Sequence, residues 1–224
     1  MRMTYIRFIK DYINKQPVTI PICVAEISKT IEKNYSLPLD KAAAATSVAI
    51  KRIMDQKAIP ELRFYQKGIY YKTIETAFGE MGIDKEKLIA YKYIDHYQGY
   101  ETGVGLLHKL GLTTQMPNER LIATNAARDC VRHDKKLNIS FCPPKTEINK
   151  TNKAYMQILD AIEYLDKAPV DVEDPYLIIA EYIKKNDLKY EILLSIADTY
   201  YSPKTILQLA HTAGKLVGKN EVAS

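Results

Sequence analysis

The tightest constraint on what this chain can fold into lies in its first 75 residues. Three helix-period segments run in succession, and a short hairpin follows them. Over 2–14, Tyr5, Ile6, Ile9 and Ile13 recur at three- and four-residue spacing, which puts them on one helical face. Pro17 stops that segment. A second helix is expected over 21–34, with Pro21 in its first turn and Ile22, Ala25, Ile27 and Ile31 as its apolar positions. Tyr35-Ser36-Leu37-Pro38 reads as a connector, and an alanine-rich third helix spans about 39–57. After Pro60, two β-prone runs, 61–65 and 69–73, flank Gln66-Lys67-Gly68, where the glycine can take a positive φ. This is the element order of a winged helix-turn-helix, expected as a DNA-binding domain over 1–75.

A helical wheel of the third segment divides it. Ala42, Thr46, Ala49, Ile50 and Ile53 share one face, while Lys41, Ala44, Ala45, Val48, Lys51, Arg52 and Asp55 lie opposite. Two readings of the second face stand side by side. It is a solvated charged surface on a core helix, or it is a recognition face. In the second case Lys41, Lys51 and Arg52 meet phosphates or guanine edges and Ala44 or Val48 touches a thymine methyl. The hairpin that follows adds Arg63, Lys67 and Lys72 where a wing would meet backbone phosphate, which tilts the balance toward recognition.

Charge is distributed accordingly. The chain of 224 residues carries 32 Lys and Arg against 27 Asp and Glu, a net charge of +5. Residues 1–80 hold 13 basic and 8 acidic side chains, and 81–224 hold 19 of each, so the whole excess lies in the N-terminal third. That pattern points to an N-terminal unit that meets a polyanion and a C-terminal unit with another task. With 46% hydrophobic and 26% charged residues the chain reads as globular. No apolar run is long enough for a bilayer, and no signal peptide is recognised, so a cytoplasmic protein without membrane partners is expected.

Residues 74–83, with Gly79 and Gly82, read as a linker. Beyond it a mixed α/β region is expected over 84–145 and a helical one over 152–224, together forming a C-terminal domain over 84–224. Helix is expected at 84–95, on Leu88, Tyr91 and Ile94, and again at 102–110, where Gly103 and Gly105 imply close packing. A strand is expected at 121–124 and a hairpin from 130–133 and 137–141 around Asp134-Lys135-Lys136. Four apolar stripes follow: Tyr155, Ile158, Leu159 and Ile162; Leu177, Ile178, Ile179 and Ile183; Tyr190, Leu193, Leu194 and Ala197; Ile206, Leu209, Ala210 and Ala213. Asp174-Pro175 and Ser202-Pro203 open two of these helices with an N-cap and a first-turn proline. The fold class is therefore α+β, predominantly helical, with a terminal bundle packed on a central sheet.

Chemistry is hard to find. His96, His108, His133 and His211 lack metal-ligand spacing, and Cys23, Cys130 and Cys142 are too scattered for a zinc site or a disulfide framework. His133, in a turn beside Asp134, reads as solvated, and Asp171, Glu173 and Asp174 read as a solvated helix start. No Walker loop, GxSxG or GxGxxG is present. No catalytic residue, metal or cofactor is expected. The polar stretch Gly111-Leu112-Thr113-Thr114-Gln115-Met116-Pro117-Asn118 has two readings. Thr113, Thr114, Gln115 and Asn118 satisfy local backbone, or they form a partner-binding loop.

Four stretches together resemble a known family: Gly68-Ile69-Tyr70-Tyr71-Lys72, Gly99-Tyr100-Glu101-Thr102-Gly103, the Gly111–Asn118 stretch, and Ile122-Ala123-Thr124-Asn125. The chain resembles the AbiEi-type antitoxins of type IV toxin–antitoxin (abortive infection, phage defence) systems, and more closely their transcriptional-regulator-like relatives. The resemblance covers about 1–145. It implies a winged N-terminal domain that binds and represses the promoter of its own operon, and a C-terminal part that neutralises a nucleotidyltransferase-like toxin, without need of a stable complex. It implies DNA contacts at Lys41, Lys51, Arg52, Arg63 and Lys67. Two other readings remain beside it: a protein-interaction module with a structural winged helix, and an enzyme, which a cleft of convergent perturbed titratable groups would favour. No dimer face is legible.

Overall fold

The computed structural model describes residues 5–96 and 98–221, apart from the side chains of 216–221. The protein is mixed α+β and predominantly helical, and it divides into two compact units, Met1–Leu88 and Ile89–Ser224.

The first unit runs α1 (Tyr5–Lys15), β1 (Ile22–Cys23), α2 (Val24–Tyr35), α3 (Leu39–Asp55), β2 (Leu62–Gln66), β3 (Ile69–Lys72), β4 (Glu75–Thr76) and β5 (Gly79–Glu80). The helix expected from residue 2 is described from Tyr5, and residues 2–4 lie outside the described residues. Half of its apolar stripe is core: Ile9 and Ile13 are fully buried, against Ile27 and Ile31 of α2 and Ala42, Ala49, Ile50 and Ile53 of α3, whereas Tyr5 and Ile6, in the first turn, are exposed. Burying each of these isoleucines contributes roughly 1.5–3 kcal/mol. Two buried hydroxyls sit between α2 and α3. Ser28 donates to the Val24 carbonyl at 2.6 Å and Thr46 to the Ala42 carbonyl at 2.7 Å, so neither is left unpaired. Ser36, with φ 51°, ends α2 in the left-handed conformation, and Pro38 precedes α3.

The second helix does not begin at Pro21. Ile22 and Cys23 form a strand against Tyr70 and Ile69 of β3, and the helix starts at Val24. A two-residue strand is too short for its period to register in sequence; only β3 creates it. The sheet order is β1-β3-β2, both pairings antiparallel. Gly68, at φ 76°, turns β2 into β3, and a bulge lies between Phe64 and Gln66. The expected linker at 74–83 also holds structure: β4 and β5 pair as a second small hairpin, with Glu75 opposite Glu80 and Thr76 opposite Gly79.

A short helix, α4 (Lys85–Ile89), continues into one π-helical stretch, Ala90–Asp95, at the place where 84–95 was expected as a single helix. The second unit continues with β6 (Tyr100–Thr102), α5 (Val104–Lys109), β7 (Arg120–Ala123), β8 (Arg132–Asp134), β9 (Ile139–Cys142), α6 (Lys153–Tyr164), α7 (Pro175–Lys185), α8 (Tyr190–Tyr200) and α9 (Pro203–Glu221). Its sheet has the order β6-β7-β9-β8; β7 and β9 run parallel, and the other pairs antiparallel. Thr102 belongs to a strand rather than to the helix expected at 102–110. Gly103, at φ 70°, makes the corner between them, and a Cβ on Gly105 would come within 2.6 Å of the Glu101 carboxylate. The centres of the four terminal stripes are buried: Ile158, Leu159, Ile162, Ile179, Ile183, Leu193, Ala197 and Leu209 share one core with Tyr100, Leu107 and Leu112, but Leu194 and Ala210, expected on the same stripes, are exposed.

Candidate nucleic-acid interface

Helix α3 is amphipathic in the manner its wheel requires. Ala42, Thr46, Ala49, Ile50 and Ile53 are buried, while Lys41, Ala44, Val48, Lys51 and Arg52 are exposed on the other side. No described residue pairs with Lys41, Lys51 or Arg52, so three cations on one helix face are available to an outside anion. Lys67, equally free, stands at the β2–β3 turn beside Gly68.

The other two basic candidates are already engaged. Arg63 donates Nε to Glu80 Oε2 at 3.1 Å and closes a second, shorter contact from Nη2 to Oε1, while Nη1 donates to the Pro60 carbonyl at 2.6 Å. Glu80 holds the guanidinium in its charged form, and the guanidinium keeps the Glu80 carboxyl below its ordinary value. Lys72 Nζ donates to the Asn14 carbonyl at 2.9 Å. Neither bond has a local signature: each joins residues that only the fold makes neighbours.

The α3 face also carries an apolar component. Ala44, Ala45 and Val48, with Tyr5 and Ile6 of α1, line a groove of about 330 Å³ whose edge is Arg52. Cations therefore flank a strip of small apolar side chains, an arrangement suited to phosphates beside base methyl groups.

In the second unit the polar loop after α5 is tied across the chain. Asp171 Oδ2 accepts from the Thr114 amide at 2.6 Å, the Thr114 hydroxyl at 2.7 Å and the Thr113 hydroxyl at 3.1 Å. These bonds lower the Asp171 carboxyl's pKa, the backbone bond from Thr114 foremost. Asp171 is thus a clamp, not part of a freely solvated helix start; Asp174 does serve as the N-cap, accepting from the Leu177 amide at 3.1 Å. Gln115, Met116 and Asn118 remain exposed at the loop's apex. His133 is not simply solvated either: its Nδ1 lies 3.0 Å from Glu119 and 2.8 Å from the Ser140 hydroxyl.

A cleft with displaced titrations does exist. A recess of about 140 Å³ is bounded by Thr102, Cys142, Lys145, Asp160, Glu163 and Lys167 among others. Burial raises the Asp160 carboxyl, although Tyr201 at 2.6 Å, Thr102 at 2.9 Å and Tyr100 at 3.1 Å all donate to it. Burial and the Asp160 charge push the Cys142 thiol up to about 11, which keeps it protonated and poorly nucleophilic at neutral pH. Glu163 accepts from both Lys145 and Lys167 at 3.2 Å. These groups satisfy one another and bind three elements together. Cys23, Cys130 and Cys142 form no disulfide with one another.

No protein-family model matches the chain, and a search of curated proteins returns no match. Among the described residues no helix is long and apolar enough to cross a membrane, and no group of His, Cys, Asp and Glu side chains is disposed to hold a metal.

Proposed function

We propose that the protein is a sequence-specific DNA-binding autorepressor whose first unit is a winged helix-turn-helix, and that it acts in the cytoplasm as the antitoxin of a type IV toxin–antitoxin pair. The observation that carries the DNA-binding part is the exposed face of α3, where Lys41, Lys51 and Arg52 stand without partners around Ala44 and Val48. The order α1-β1-α2-α3-β2-β3, with a sheet ordered β1-β3-β2, supports the winged reading. In it α3 enters the major groove and Lys67 meets a phosphate from the wing. Arg63 and Lys72 take no direct part in this account, because Glu80 and the Asn14 carbonyl hold them. The antitoxin part rests on the family resemblance alone, with a nucleotidyltransferase-like toxin as the implied counterpart.

The test is an electrophoretic shift with the DNA upstream of the gene, at two salt concentrations, against an unrelated duplex. The expected result is a specific complex that salt weakens, because phosphate contacts release counterions. Replacing Lys51 and Arg52 together by alanine should weaken binding and flatten the log–log salt slope by roughly two. An unchanged slope in the double variant overturns the assigned face. Co-expression with the neighbouring gene's product then tests rescue from toxicity.

The interaction-module reading is favoured by one observation: the exposed α3 face carries an apolar groove, lined by Ala44, Ala45 and Val48, beside its cations. A tight complex with the neighbouring gene's product, together with no DNA binding at low salt, would select it.

A further inference from the structure

The β4–β5 hairpin carries the most exposed large apolar side chain among the described residues. Phe78 is fully exposed at its tip, and Ile74 and Met81 are exposed at its base, with Val18 exposed beside them. Solvated apolar side chains occurring singly are ordinary, but grouped ones on an ordered projection mark contact surfaces.

This projection is ordered. The Thr76 hydroxyl donates to the Gly79 carbonyl at 2.7 Å and accepts from the Phe78 amide at 3.2 Å. The Thr73 hydroxyl donates to the Met81 carbonyl at 2.7 Å, and the Met81 amide donates to the Ile74 carbonyl at 2.9 Å. Arg63 fastens Glu80 from β2. Phe78 is held outward by this bracing, which reduces the ordering that binding would otherwise require.

The surroundings are acidic within a unit that is otherwise basic. Residues 73–84 contain Glu75, Glu80 and Asp84 and neither Lys nor Arg. A depression of about 360 Å³ at the hairpin's base is lined by Val18, Ile74, Glu61, Glu75 and Glu80, with Arg63 as its only cation. Arg63 takes up Glu80, and Glu61 and Glu75 leave this face negative, the opposite sign to α3. Phosphate backbones and anionic lipid headgroups would be repelled here.

We propose that the β4–β5 hairpin is a docking surface for a protein segment that carries lysine or arginine around an apolar recess. Phe78 enters that recess, and Glu61 and Glu75 face the cations, Glu80 being held by Arg63. Aromatic anchors ringed by complementary charge are the usual energetic centre of such contacts. This does not depend on DNA binding by α3.

The chain contains no tryptophan, so the full-length Phe78→Trp variant supplies a single indole reporter at the tip. A short amphipathic lysine–leucine peptide should shift its emission to the blue, and salt should weaken the effect. Glu61→Gln with Glu75→Gln should weaken it too. In anisotropy with the labelled peptide, Phe78→Ser should reduce affinity by about tenfold or more, with an unchanged melting temperature, since the side chain touches no core. No shift with the basic peptide overturns the proposal, as does an equal shift with the glutamate–leucine counterpart. A shift produced only by concentrating the protein assigns the hairpin to a second copy instead. A shift only with duplex DNA or only with phosphatidylcholine vesicles assigns it to nucleic acid or to a membrane surface; each of these also overturns it.

Discussion

Among single residues, the second unit holds two carboxylates of opposite behaviour, Asp160 buried and Asp134 half-buried. Asp160 is only 7% exposed and receives hydroxyls from a strand, from the same strand's end and from the residue after α8. Asp160→Ala removes the acceptor of Tyr100 and Thr102 and leaves Tyr201 only the Met156 carbonyl at 3.3 Å, and a loss of about 3 kcal/mol in urea unfolding is expected. Because burial raises this carboxyl, its contribution is full below the ordinary aspartate value of 3.8 and declines as pH rises through the higher folded value. The gap between the parent and Asp160→Ala should therefore narrow from acid toward neutral pH. Asp134 behaves in the other sense. Burial opposes its charge, but Lys92 at 2.6 Å and Tyr93 at 2.8 Å outweigh burial and lower its value. Its contribution is present above 3.8 and lost as pH falls through the folded value, so Asp134→Asn should cost stability at pH 7 and little in strong acid. Gly99 is sterically fixed: a Cβ there would overlap the Tyr93 carbonyl and lie 3.0 Å from that of Ala123. Gly99→Ala should cost more than about 2 kcal/mol in the same measurement.

At the scale of elements, the polar loop between α5 and β7 shows how a short segment acquires order from a distant one. Asp171 collects two hydroxyls and an amide from Thr113 and Thr114, and its own amide donates to the Leu112 carbonyl at 3.1 Å. Asp171→Ala should speed hydrogen exchange at the Thr114 amide while the β7–β9 ladder stays protected; unchanged exchange would mean that the loop holds itself. Helix α7 is started by Asp174, which also meets Lys215 at 2.7 Å. Removing that cap in Asp174→Ala should lower stability by about 1 kcal/mol, read by urea unfolding.

At the scale of the whole molecule, each unit encloses a core of its own, one built on Ile9, Ile27, Ile50 and Ile53 and the other on Leu107, Leu159, Ile179 and Leu193. A fragment ending at Leu88 should therefore unfold cooperatively by circular dichroism, and should retain the DNA affinity proposed for α3. A fragment that melts without a transition would show that the first core is incomplete alone. The first unit also presents opposite charges on separate features, cationic on α3 and anionic on the β4–β5 hairpin, so its net charge understates both.

Elements whose period is written into neighbouring residues could be read from the chain alone. The centres of the helix stripes, the burial of one α3 face, the Gly68 turn and the Asp174 cap were legible, because a helix face repeats every three or four positions and a cap is chosen locally; the stripe members that stay exposed, Tyr5, Ile6, Leu194 and Ala210, were not distinguishable by period. Tertiary structure alone decided the rest. β1 is too short to have a period and exists because β3 lies beside it. Arg63 is silenced by a carboxylate 17 positions away, the Thr114 loop is held from 57 away, and Tyr100 meets Asp160 from 60 away. Charge and hydroxyl groups can be recognised in a string, but their partners cannot, since a hydrogen bond depends on proximity in space and leaves no spacing behind in the chain.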